Sequence, residues 1–128
     1  MSEHPVKVLY FSWIRERVGT GVVNKATIEA LRDRYRIAVV EADLDSTVDA
    51  DRIAALGIPA VQIETGGFCH VDARMMQAAL RELDLSQCDV LFLENVGNLI
   101  CTAQNDTGAH INLAILSVPE GDDKPLKY

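Results

Sequence analysis

A chain of 128 residues with 48% apolar but only 5% aromatic residues fits one domain. Val, Ile, Leu and Ala must then pack the core, as in a buried parallel sheet flanked by helices. The net charge of −7 argues against general nucleic-acid or anionic-membrane binding, because both need excess Lys and Arg. No apolar run reaches the roughly 20 residues of a membrane span. The opening Ser2-Glu3-His4-Pro5 does not resemble a secretory leader. Three cysteines without disulfide-scaffold spacing point to a reducing cytoplasm.

Residues 6–13 (VKVLYFSW) are β-branched and aromatic and read as a strand. Residues 15–24 are polar and glycine-bearing, a loop or helix start. A helix is expected over 26–34, with Ile28 and Leu31 at helical spacing. The second strand is 36–41, followed by the acidic segment 41–51 and a short helix over 52–56 stopped by Gly57. The third strand, 59–63, leads into the turn Gly66-Gly67. Residues 71–83 form the clearest helix: Asp72 can serve its first turn, and Met75, Met76, Ala79, Leu80 and Leu83 share an apolar face. The fourth strand, 89–93, is a continuous apolar run after Asp89 and is expected at the sheet centre. A fifth, 111–118, is also expected to be buried. Strand and helix alternate throughout, which predicts right-handed crossovers and an open, mostly parallel α/β sheet. The tail 120–128 has no element of its own, and the chain looks cut short there.

Two of these strands should end on one sheet edge, the place where open α/β sheets bind ligands. The first of them leads through Gly66-Gly67 to Cys69-His70. The second ends at Glu94 and leads to Cys101. Two thiols and an imidazole at that edge make a soft-metal site. A helix N-terminus near Cys69 would favour its thiolate. Three ligands leave a tetrahedral site one short, which leaves room for water, a transferable ion, or completion across a two-fold dimer axis. The alternative reading makes Cys69 and Cys101 ordinary half-buried thiols and His70 a helix-start residue. Cys88, at the opposite edge, reads as structural.

Glu94 also has the form of a strand-end carboxylate for a Mg²⁺-bound phosphate, and Glu41 and Asp43 bring further acids to the same edge. Strand-end acids are equally common as solvent-facing residues. A phosphate loop would need a glycine-rich turn closing on Lys and Ser or Thr. Gly19 and Lys25 have that spacing, but Asn24 replaces the second glycine and Ala26 the hydroxyl. A guanine-reading N-K-x-D element is missing.

From about residue 25 to 128, the segments DRYRIAVVEADLDSTVDADRI, GIPAVQIETGGFCHVDA, DVLFLENVGNLIC and LSVPEGDDKPLKY closely resemble the HypB family. That family comprises nickel-insertion GTPases of hydrogenase maturation. The resemblance implies a truncated P-loop NTPase-like domain, with 1–24 as an atypical N-terminal strand and loop. It implies a dimer that handles nickel or zinc, uses GTP and Mg²⁺, and works with maturation partners and the large subunit of [NiFe]-hydrogenase. Carried over by position, Cys69, His70 and Cys101 are its metal ligands, Asp43 and Glu94 its switch-region and Mg²⁺-proximal acids, and Lys124 a lysine near the nucleotide and dimer interface. Thr102 stands where the family usually has proline, and no histidine-rich tract precedes the domain. Residues 1–21 resemble instead the start of the molybdopterin synthase sulfur-carrier subunit, whose terminal Gly-Gly is not matched by Leu126-Lys127-Tyr128. Under the resemblance, metal binding outlasts impaired GTP hydrolysis. The rivals are an active GTPase with Lys25 in an unorthodox cradle and a non-enzymatic dimerising remnant.

Overall fold

The computed structural model describes residues 7–13, 20–43, 51, 53–98 and 100–115. Its elements are β1 (Lys7–Trp13), α1 (Thr20–Leu31), β2 (Ile37–Asp43), β3 (Ala60–Glu64), α2 (Ala73–Leu80), a 3₁₀ turn (Leu85–Gln87), β4 (Val90–Glu94), α3 (Cys101–Gln104) and β5 (Ile111–Ile115). The strands form one sheet in the order β3-β2-β4-β1-β5, with every pairing parallel. β4 is central, as its apolar run predicts. β1 fills the slot between β4 and β5, in register from Lys7 opposite Val90 to Phe11 opposite Glu94.

Successive side chains of a strand point to opposite faces, so a two-sided core needs apolar residues at every position. β2 and β4 meet that demand. Ala38, Val40, Ala42, Leu91 and Leu93 bury one face together with Val71, Met76 and Ala79. Ile37, Val39 and Phe92 bury the other with Ile28 of α1 and Ile53. Asp72 caps α2, its Oδ1 accepting from Arg74 N at 2.9 Å and Met75 N at 2.8 Å. At the N-terminal edge Arg36 forks onto Asp89, with Nη2–Oδ1 at 2.6 Å and Nε–Oδ2 at 2.9 Å, joining the starts of β2 and β4. The hydrogen bond to Asp89 is the main reason the Arg36 guanidinium is held above its ordinary pKa.

Two expectations change. The first helix starts at Thr20 rather than 26, so the stretch read as a degenerate phosphate loop is helical from its second residue. Without the second glycine there is little to keep this stretch from winding, and one continuous helix delivers Ile28 to the core. Over 111–114 the fifth strand is not buried: among the described strands it is a sheet edge, with Ile111 49% and Leu113 41% exposed, and 116–118 lie outside the described residues. Its apolar residues alone did not distinguish an edge from a centre. Phe92→Ala should cost about 3–5 kcal/mol in denaturant unfolding, whereas Leu113→Ser should stay within about 0.5 kcal/mol of the parent.

Candidate functional site

The C-terminal ends of β2, β3 and β4 form one rim. β3 ends at Glu64, and the chain then turns through Gly66 and Gly67, whose φ of 64° and 94° lie where side chains with a Cβ are strained. The turn presents Phe68, Cys69 and His70 ahead of α2. Cys69 is exposed and its Sγ lies 3.8 Å from His70 Nδ1. The ring of Phe68 meets that of His70 edge-on, with centroids 6.2 Å apart. The first free N–H groups of α2 are taken by Asp72, so the helix spends them on its own cap and not on Cys69.

The loop after β4 supplies the second half. Asn95 is 3% exposed, and its Oδ1 accepts from Val96 N at 2.8 Å and, across the gap, from Val71 N at 3.0 Å. Asn98 Oδ1 accepts from Cys101 N at 2.9 Å and Thr102 N at 3.4 Å, while its Nδ2 donates to the Cys69 carbonyl at 2.5 Å. The buried Thr102 hydroxyl donates to the Asn98 carbonyl. Asn105 Nδ2 donates to the Cys101 carbonyl at 2.7 Å. These bonds bring Cys69 and Cys101 together. A hydrogen bond with Cys69 pushes the Cys101 thiol above its ordinary pKa, and burial adds to the rise. Among the described residues, no three His, Cys, Asp or Glu side chains are already arranged to hold a metal ion. The arrangement brings two cysteines to one rim, with an imidazole beside the Cys69 sulfur.

Glu94 is 7% exposed and in register with Glu41, which is 5% exposed, on the adjacent strand. The two strands place both residues on the α1 face of the sheet. Thr65 is also buried at this rim, and its hydroxyl makes no hydrogen bond among the described residues. Asp43 ends β2 opposite Glu64 of β3. Lys25 is on α1, exposed, with Nζ 3.9 Å from Glu29 Oε1. Lys124 and Gly19 lie outside the described residues. Cys88 is buried at the opposite edge, as expected, and burial pushes its thiol up. Sequence reasoning missed Asn95 and Asn98, whose partners are backbone groups on a distant loop.

Residues 19–114 match the family described as CobW/HypB/UreG, nucleotide-binding domain. The chain belongs to this family. It is similar to the hydrogenase maturation factor HypB of Azotobacter vinelandii, 55% identical over 102 residues that cover 80% of this chain and 34% of the relative. It is 41% identical over 113 residues to the probable hydrogenase maturation factor HypB of Methanocaldococcus jannaschii, covering 87% of this chain and 51% of that one. The chain thus spans about a third to a half of the length of these curated relatives. The crystal structure of HypB from Helicobacter pylori in complex with nickel superposes with a TM-score of 0.82 at 41% identity, covering 96% of this chain and 58% of that one. HypB from Archaeoglobus fulgidus gives 0.83 at 34%, covering 95% and 59%. The structural likeness reaches further along the chain than the family match does. β1 lies outside the family match and within the sheet, paired with β4 and β5. Among the described residues, no helix is long and apolar enough to cross a membrane.

The raised Cys101 pKa has a measurable sign. Its alkylation rate by iodoacetamide should keep climbing into alkaline pH after an unperturbed thiol has levelled off, because only the thiolate reacts. In Cys69→Ala the largest cause is removed, and the profile should move back toward that of an ordinary cysteine.

Proposed function

We propose that this chain is a metal-handling piece of a HypB-type maturation factor, in which Cys69, His70 and Cys101 take up Ni²⁺ as cargo for [NiFe]-hydrogenase. The carrying observation is the Asn98 side chain, which joins the Cys69 carbonyl at 2.5 Å to the Cys101 N–H at 2.9 Å and so brings the two cysteines to the rim where β3 and β4 end. A soft divalent ion replaces the protons of such a pair and gains two thiolates, with the neighbouring imidazole of His70 as a nitrogen donor. The nickel complex of the Helicobacter pylori relative supports nickel in this role. Zn²⁺ suits the same donors, and metal supply decides between them. Phe68, 59% exposed, and Ile100, 42% exposed, flank the cysteines and suit closure of the site by a second copy in a homodimer. Three free cysteines, two of them outside the core, suit a reducing cytoplasm.

In this reading Glu94 and Asp43, at the ends of β4 and β2, are the acids for Mg²⁺ and phosphate, with GTP turnover weakened because α1 occupies the stretch a phosphate loop would need. Hydrogenase maturation partners and the hydrogenase large subunit remain the recipients. The rival with Lys25 in a working cradle is disfavoured by its helical position and its pairing with Glu29.

Titration of the full chain with Ni²⁺, followed by calorimetry and by mass in solution, should show saturable binding that disappears in Cys69→Ala/Cys101→Ala. Unchanged binding in that double variant rejects the site. A fluorescent GTP analogue with Mg²⁺ should bind weakly, and equally in Lys25→Ala. Saturable binding lost in Lys25→Ala would revive the working-cradle rival.

A further inference from the structure

Asn98 stands between the two cysteines in a way that its loop position alone does not require. Its carboxamide uses both ends. Oδ1 accepts the Cys101 and Thr102 N–H groups, and Nδ2 donates to the Cys69 carbonyl on the other loop. Thr102 reinforces the arrangement by donating its hydroxyl to the Asn98 carbonyl. We infer that Asn98 is a positioning residue, a strut whose two-ended amide sets the spacing of the Cys69 and Cys101 sulfurs for a shared soft ligand. For nickel this rests on the cysteine pair being the metal-holding group.

A strut differs from a helix cap in what it demands chemically. A cap needs only an acceptor, and aspartate supplies one as well as asparagine. A strut needs the amide N–H as well, because the Cys69 carbonyl can only accept. Aspartate would hold Cys101 while turning an oxygen toward the Cys69 carbonyl. Asn95 reaches across at a different point, to Val71 beyond the Cys69-His70 pair, so the Cys69 carbonyl is left to Asn98. Outer-shell partners of metal ligands typically change affinity by about 10- to 100-fold when removed.

The test compares Asn98→Ala and Asn98→Asp in the full chain. Asn98→Asp should unfold near the parent's midpoint yet bind Ni²⁺ about 10- to 100-fold more weakly, with a diminished sulfur-to-nickel charge-transfer band. Asn98→Ala should lose the same affinity with some loss of stability. A metal-free arm uses phenylarsine oxide, which bridges two neighbouring thiols with release of water. Capture should be lost in Cys69→Ala and slowed in both Asn98 variants. Parental nickel affinity and band in Asn98→Asp, or parental arsenical capture, overturns the strut. If Cys69→Ala binds nickel like the parent, the metal reading falls instead, and the arsenical rates alone decide what Asn98 does.

Discussion

The arrangement of the rim depends on one buried hydrogen bond, from the Val71 N–H to the Asn95 carboxamide oxygen. The parallel sheet brings the ends of β3 and β4 to one edge but leaves β2 between them, so the loops that follow must still cross a strand's width. Asn95 closes that gap at a point removed from water, where a lost partner is costly because the remaining group stays desolvated. Once Val71 is held, the short segment Cys69-His70 is tethered on its far side, and the loop from β4 can reach it. The glycine turn after β3 sets the direction of approach, Asn95 anchors its far side at Val71, and Asn98 joins the two loops at Cys69.

The chemistry that results is conditional. The hydrogen bond with Cys69 and burial hold the Cys101 thiol in its protonated form to higher pH. Under the proposed function, an incoming soft cation must displace protons, which links uptake to pH. The buried acids Glu41 and Glu94 share the rim but belong to strands rather than loops, so they are held by the sheet and move only with it.

Much of the fold was legible because two-sided burial writes itself as unbroken apolar runs, as in Ile37–Val40 and Val90–Leu93. The cysteines and His70 were legible because their side chains are rare and chemically distinct. The start of α1 was not, since Gly21 and Asn24 are as common in loops as they are tolerable in a helix supported by packing of Ile28. The position of β5 was not legible either: Ile111 and Leu113 look the same in an edge strand as in a central one, and only the strand order distinguishes them. Asn95 and Asn98 were invisible for a different reason. Each acts on main-chain atoms of another loop, and main-chain atoms leave no trace in sequence.

The separation of Cys88 from the other two cysteines has a practical consequence. One sulfur is sealed in the core and two lie at the rim, so the native fold and the unfolded chain differ in how many sulfurs a dye can reach. The molecule therefore carries an internal gauge of its own integrity: a native sample offers two sites to a chromogenic disulfide reagent, and a third emerges only when the sheet comes apart.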